Sequence, residues 1–313
     1  MKVIDMPKNK PQFPLYIPSK SRSQYMMTSA YLTQMNVPHN IVVEPDQVVD
    51  YQKAVKQRNL LTTVIPLDMS YKQKYDCCDQ HGLTKSTGSG PARNFIWDHS
   101  VSEGHAYHWT MDDNILFFCR LHQNKKIKVS SPAFWYAMED FCLRYENLAM
   151  AGPHYAFFAP QRAKKAPFTL NTRVYSCNLI RNDVPFRWRG RYNEDTILSL
   201  DMLTAGWCTL QFNAFLQHKM QTQKMKGGNT DELYHGDKKA ENEKYSKTGT
   251  IEKSQMLADL FPEYAEVVMR YGRVHHYVNY KVFKQPLKRK HGIKINADNN
   301  YGMKLLTKKE LGL

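Results

Sequence analysis

No stretch of this chain stays apolar for the ~18 residues that a membrane-crossing helix needs, so no transmembrane span is expected. The first residues, M-K-V-I-D-M-P-K-N-K-P, lack the apolar core of a secretory leader, which points to a cytoplasmic protein. Cysteines at 77, 78, 119, 142, 177 and 208 form no disulfide-like framework, in keeping with a reducing compartment. Asp76-Cys77-Cys78-Asp79-Gln80-His81 gathers zinc-ligand side chains. It has no C-x₂-C pair and no second pair of ligands, which argues against zinc. No internal repeat is found. Acid is scarce: 29 Asp and Glu stand against 44 Lys and Arg, a formal net charge of +15. That surplus favours a polyanionic partner and speeds encounters with one, although a merely soluble basic protein would carry it too.

What is present suffices for a sizeable core. The chain has 313 residues, 42% of them hydrophobic and 12% aromatic, enough for one large domain or two modest ones and unlike a disordered chain. The densest stretch is His105 to Ile115, H-A-Y-H-W-T-M-D-D-N-I, with Phe117 and Phe118 following. Tyr107, Trp109 and Met111 alternate as in a strand entering a core, which would deliver Asp112, Asp113 and Asn114 at its carboxyl end. Carboxylates are costly to bury without a partner, and hard divalent ions take such oxygen ligands. A strand-to-turn junction also favours Asp and Asn for backbone reasons, so both readings stand.

Around this stretch the pattern alternates strand and helix. Residues 15–22 read as a strand ending in a polar turn with Ser19, Lys20 and Arg22. Residues 24–35 read as a helix and 39–45 as a second strand closed by Glu44, a βαβ unit that implies parallel pairing. Residues 50–58 are expected helical and 61–67 a third strand. After a polar loop at 84–91, residues 92–103 read as a helix with Pro91 in its first turn and Arg93 near its start. Open α/β sheets bind ligands beyond the strand carboxyl ends, so Arg93 and the aspartates would share one crevice. Residues 132–150 read as a helix with an aromatic stripe for the core, then 154–159 and 173–180 as antiparallel strands, with a solvated turn at 162–165 between them.

In F-R-W-R-G-R-Y-N-E-D-T, Arg187, Arg189 and Arg191 alternate around Trp188 and Gly190, and Glu194 and Asp195 open a helix. Asn193 suits an N-cap and acids there suit the helix dipole, so the acidic pair has a structural reading beside a catalytic one. Residues 206–216 return to strand. The chain divides into a core over 1–218, a flexible polar insertion over 219–253, and a C-terminal helix with basic tail over 254–313 packing on the core; the helix is expected from Ser254 to about Arg270.

Taken in order, I-P-S-K-S-R, V-P-H-N-I-V-V-E-P, the G-P-A-R-N helix, W-T-M-D-D-N and R-Y-N-E-D-T resemble a GT-A fold glycosyltransferase. More narrowly they resemble the TET/JBP-associated glycosyltransferases of bacteriophages, over about residues 15 to 216. The resemblance implies an α/β, Rossmann-like, mainly parallel mixed sheet flanked by helices in a single domain, with a C-terminal helical extension. It implies transfer of a sugar from a nucleotide-sugar, a UDP-sugar above all, to 5-hydroxymethylpyrimidines in DNA, 5-hydroxymethylcytosine first among them. A phage enzyme of this kind would work in the host-cell cytoplasm. By similarity Ser19, Lys20, Arg22 and Glu44 would lie near the nucleobase, Arg93 would approach the diphosphate, and Asp112 and Asp113 would hold ribose and Mn²⁺ or Mg²⁺. Asn114 replaces the aspartate that many such enzymes carry there. His275 or His276 would supply a late ligand, or simply pack. Asp195, with Glu194, resembles the acidic pair that serves as base in inverting enzymes. Arg187, Trp188, Arg189 and Arg191 would contact DNA phosphate and stack on a base flipped out of the duplex. A carbohydrate acceptor, or a nucleic-acid-binding module with a decayed site, are the competing readings.

Overall fold

A computed structural model describes residues 9–122, 124–159, 166–220, 226–228, 250–270, 272–295 and 301. Most of the insertion expected at 219–253, the turn at 162–165 and the end of the basic tail therefore lie outside the described residues. The chain opens with β1 (Leu15–Pro18), α1 (Met27–Gln34), β2 (His39–Val43), α2 (Val48–Gln57) and β3 (Thr62–Pro66). These three strands pair in parallel, Tyr16 opposite Asn40 and Ile41 opposite Val64, as the βαβ pattern requires. A short α3 (Ser70–Gln73) and the longer α4 (Gly90–Ser102) lead to β4 (Tyr107–Met111), which pairs in parallel with the other edge of β1. All five residues of β4 are buried.

Residues 112–114 connect β4 to β5 (Ile115–His122), which pairs with β6 (Lys125–Lys128) as a hairpin. There follow α5 (Ala133–Leu143), β7 (Leu148–Tyr155), β8 (Phe168–Leu170), β9 (Cys177–Arg181), α6 (Glu194–Thr204) and β10 (Cys208–Lys219). The sheet runs β3-β2-β1-β4-β9-β7-β10-β5-β6, with β8 also on β10. It is mixed: parallel from β3 through β4 and again between β7 and β10, antiparallel elsewhere. Helices flank it, so the chain has the α/β architecture of a GT-A-like domain. Among the described residues, no helix is long and apolar enough to cross a membrane.

Two boundaries differ from the sequence expectation. The helix read over 132–150 stops at Leu143, and Leu148 to Tyr155 is a strand. An unbroken apolar run fits a buried helix or a doubly covered strand equally well, and here Leu148 to His154 are all buried. Gly152 settles the matter locally, because a Cβ there would stand 2.1 Å from the Cys177 carbonyl of the neighbouring strand. The strand expected at 154–159 is thus its tail, and Ala156–Phe158 form a single 3-10 turn. Likewise the helix expected to reach Arg270 is α7 (Thr250–Leu260). Pro262 disfavours helical geometry in the residue before it, and β-branched Val267 and Val268 then join β11 (Ala265–Arg270), paired with β12 (Arg273–Val278). Beyond the hairpin the chain lies on the core: Leu287 packs against it, Arg289 bridges to Tyr145, and Tyr301 donates to Asp140.

Candidate active site

Strand β1 is where the chain order reverses direction across the sheet, with β2 on one side and β4 on the other. Crevices form at such switch points, and the strand ends supply their lining. A pocket of about 400 Å³ opens here. Ser19, Lys20 and Arg22 follow β1, Glu44 follows β2, and Asp112, Asp113 and Asn114 follow β4; all line it. So do Arg93 from the start of α4 and Glu194 and Asp195 from the start of α6. Residues expected around one nucleotide-sugar site thus line one pocket.

How they are engaged differs from the expectation. Arg22 donates to Asp113 Oδ1 at 2.7 Å, and Ser19 donates to Asp113 Oδ2 at 2.7 Å. Tyr51 bonds to Ser19 at 2.8 Å and accepts from the Arg22 N–H. Arg22 also donates to the carbonyls of Lys226 and Gly227 at 3.0 and 2.6 Å. Gly227 has φ +84 and sits so close to Ser21 that a Cβ would be 2.6 Å from its carbonyl oxygen, so only glycine fits under this guanidinium. Ser19 and Arg22 therefore hold Asp113, and Arg22 the 226–228 segment, while both line the pocket. Lys20 pairs with Glu44 at 2.9 Å and Lys72 joins from α3. Burial pushes the Glu44 carboxyl up, but the two lysines outweigh it and hold it below its usual range.

Asp112 is gripped from both sides. Its Oδ1 accepts from Arg93 at 2.7 Å and its Oδ2 from Lys219 at 2.5 Å, while Lys219 also donates to Ser176 at 3.0 Å. Burial alone would raise the carboxyl, yet Lys219 and Arg93 keep it below the ordinary range. Asp113, more weakly offset by Arg22, is pushed up by burial. All four carboxylate oxygens of the pair thus already accept a bond from a cation or hydroxyl. Among the described residues, no three His, Cys, Asp or Glu side chains come together as a metal site. The Asn114 side-chain oxygen is buried without a partner. The donor set does not fit the Mn²⁺ or Mg²⁺ expected from the sequence, because an ion would first have to displace Lys219, Arg93 or Arg22. His276, in β12, lines a neighbouring cleft with Arg173 and Thr196 instead, and His275 adjoins it on the same strand; neither lines the aspartate pocket. Burial and the nearby Lys253 and Arg173 hold His276 down to about 4, a neutral imidazole packed among cations.

The arginine cluster is also redeployed. Trp188 is 1% exposed, under the Arg93 guanidinium at 4.6 Å, and cannot stack on an incoming base. Arg187 pairs with Asp98 at 2.9 Å, Arg189 with Asp201 at 2.7 Å, and Arg191 with Asp79 at 2.6 Å. Of the four residues expected to contact DNA, Trp188 is core and Arg191 is buried against Asp79, while Arg187 and Arg189 are partly exposed in ion pairs with Asp98 and Asp201. Asn193 stands at the start of α6 in a left-handed conformation, but its side chain donates to the Lys253 carbonyl at 2.7 Å instead of capping.

Sequence reasoning missed Arg173, Tyr175, Ser176 and Lys219, which complete the wall. Lys219 is the last residue of β10, one past the boundary assigned to the core. Arg173 lies 4.4 Å over the Tyr175 ring and 3.5 Å from the Thr196 hydroxyl. Burial works against its charge, and Asp195 with the phenols of Tyr280 and Tyr175 more than offsets that. Asp195 Oδ1 accepts from the Thr196 N–H at 2.7 Å; among the described residues its Oδ2 accepts no hydrogen bond. Glu194 accepts from Ser89 at 3.1 Å. Burial pushes its carboxyl above the usual range, Asp195 adding to the push and Arg93 opposing it. Arg93 is 3% exposed, and its Nε and Nη1 have no partner among the described residues. Both nitrogens are shielded from solvent, and the charge of Arg93 is met by Asp112 and by the Trp188 ring.

Comparison with known families gives a match to the TET-Associated Glycosyltransferase family over residues 13–228. No curated protein matches the chain.

Proposed function

Since the chain belongs to the TET-Associated Glycosyltransferase family, we propose that this pocket transfers a sugar from a nucleotide-sugar, a UDP-sugar in the first instance, to the hydroxyl of a 5-hydroxymethylpyrimidine in DNA, 5-hydroxymethylcytosine foremost. The observation that carries the reading is the convergence in one pocket of three cations, Arg93, Lys219 and Arg173, with the adjacent carboxylates Glu194 and Asp195. The transfer breaks the bond from the anomeric carbon to the diphosphate and forms one to the acceptor oxygen. Negative charge grows on the departing diphosphate, and Arg93, Lys219 and Arg173 are fixed cations in a partly dry site where such charge is best met. The acceptor hydroxyl loses its proton as its oxygen attacks, and Asp195 Oδ2, which accepts no hydrogen bond among the described residues, takes it. Lys20 and Glu44, at the ends of β1 and β2, border the pocket with Lys72 of α3, where the nucleoside would rest. The surplus of +15 suits a DNA acceptor.

The test is incubation of the chain with a panel of nucleotide-sugars and hydroxymethylated DNA, read by mass spectrometry of the digested nucleosides. A hexose or pentose increment on the hydroxymethylpyrimidine is the expected product. Calorimetry that detects no binding of any nucleotide-sugar would overturn the transferase reading.

A further inference from the structure

Phe157 and Phe158 are 70% and 53% exposed at the tip of the 3-10 turn that follows β7. They pack edge to face with each other at 5.4 Å, and Phe158 does the same against Tyr155 at 5.3 Å. Tyr155 and Phe158 line the candidate active site, and Tyr155 donates to the Lys219 carbonyl. The three rings thus form a lip on the pocket, with Phe157 outermost. Large aromatic rings left in water beside a pocket mark a contact surface rather than a folding requirement.

The ground beside this lip is basic. Lys126 of β6 donates to the Ala156 carbonyl at 2.5 Å, which pins the β5–β6 hairpin to the aromatic turn. Directly paired residues of an antiparallel ladder point to one face. Cys119 stands opposite Lys128 and Leu121 opposite Lys126, while Phe117 stands opposite His218 and Cys119 opposite Leu216. Cys119 and Leu216 pack with Ala156 and Ala159, so Lys126, Lys128, Phe117 and His218 share the face that carries the turn. Lys128 lies 4.4 Å over the Phe117 ring, and His218 stacks on the other side of that ring at 4.4 Å. No Asp or Glu occurs from Asn114 to Met138, from Asn147 to Asn182, or from Met202 to Thr230, the stretches that supply every strand of this face. A second copy of the same basic face would be repelled, whereas a polyanion would not.

Resting on the DNA-acceptor reading above, we propose that this lip and its lysines are the acceptor platform: the strand flanking the target nucleotide runs over Lys126 and Lys128, and an unstacked base beside the target stacks on Phe157. Aromatic rings interleaved with cations bind single-stranded or splayed nucleotides in this way, rings taking the base faces and lysines the phosphates. The role expected of Trp188 and its arginines falls to this surface instead.

Phe157→Ala and Lys128→Ala, separately and together in the full chain, test the proposal. Binding of a fluorescent hydroxymethylated oligonucleotide is followed by anisotropy across salt, and nucleotide-sugar binding by calorimetry. Phe157→Ala is expected to weaken the oligonucleotide about tenfold, as when one base loses its aromatic partner. Lys128→Ala should lower the slope of log K against log salt by about one. Nucleotide-sugar binding should be unchanged in both, which also shows that the variants fold. Oligonucleotide binding that neither substitution alters overturns the platform alone. A wild-type chain that binds nucleotide-sugar but no oligonucleotide overturns the DNA acceptor together with the platform. A dimer in solution that Phe157→Ala dissociates would place a second copy on the lip and overturn the proposal as well.

Discussion

Arg187, Arg189 and Arg191 crowd into five residues, whereas Arg22, Arg93 and Arg173 come from three distant parts of the chain. The crowded set does structural work. Asp98, Asp201 and Asp79 neutralise its members one by one, and Arg191 also donates to the Ser86 and Gly82 carbonyls. The scattered set converges on the pocket, where Arg93 and Arg22 grip the aspartate pair; Arg191 reaches the same wall, but its charge is spent on Asp79. Charge density along a sequence says how much cation is available; the carboxylates that the fold sets opposite decide what is left for a ligand. Substitutions in the two sets should therefore fail differently, one losing chemistry and the other losing fold.

The largest effect belongs to the acid that the scattered set surrounds. Asp195→Asn keeps the shape and the contact with the Thr196 N–H but removes the proton acceptor, and kcat should fall by about 10³. Nucleotide-sugar affinity measured by calorimetry should hold, since the loss lies in the transition state. An unchanged kcat would transfer the role of base to Glu194. Next comes Arg93→Met, which removes a fixed cation from the pocket and should cost about 10² in kcat. Lys219 would remain on Asp112, so the thermal midpoint should move less than the rate. Because all four oxygens of Asp112 and Asp113 are already engaged, a chelator should leave the wild-type rate unchanged. A rate that collapses with chelator and recovers with Mn²⁺ would mean that Lys219 or Arg22 gives way to an ion in the working state.

This contrast also explains what could be read before the fold was known. Arg93 and Asp112 stand at the start of a helix and the end of a strand, so their shared crevice is legible from local pattern, whereas Ser19, Glu44 and Asp195 join it only through the resemblance of their motifs to a known family. Arg173 and Lys219 gave no such signal. Lys219 enters only because β10 is laid against β7 and β5, and Arg173 because β8 and the segment after it are bound to β10, pairings between segments far apart in the chain. The pairing of Arg191 with Asp79 is hidden for the same reason. So is the burial of Trp188 beneath Arg93, since neither contact is between sequence neighbours. The run from Ala133 to Tyr155 shows a different limit: it is apolar throughout enough of its length that one helix and a helix followed by a strand leave nearly the same trace.

Within the crowded set, burial ranks the expected damage to the fold. Arg191 is wholly inside, and Arg191→Met would strand Asp79 and two carbonyls, a loss of about 3 kcal/mol or more in unfolding free energy. Urea titration would register this, and the fraction that remains folded should still bind nucleotide-sugar.

Arg187 is the mildest case. Its side chain is 43% exposed and that of Asp98 is 41% exposed, so water screens the pair on both sides. Tyr71 continues to donate to Asp98 when the guanidinium is gone. What Arg187→Ala removes is chiefly the cover of the guanidinium over Trp97, 4.8 Å from the ring, together with a weak ion pair. The cost should stay within about 1 kcal/mol, as for other exposed pairs. Oligonucleotide affinity is the sharper measurement on this variant. If Asp98 already consumes the charge of Arg187, removing it should leave both the affinity and its salt dependence where they were. A salt slope reduced by about one would instead put a DNA phosphate on Arg187 and erase the division between the two arginine sets.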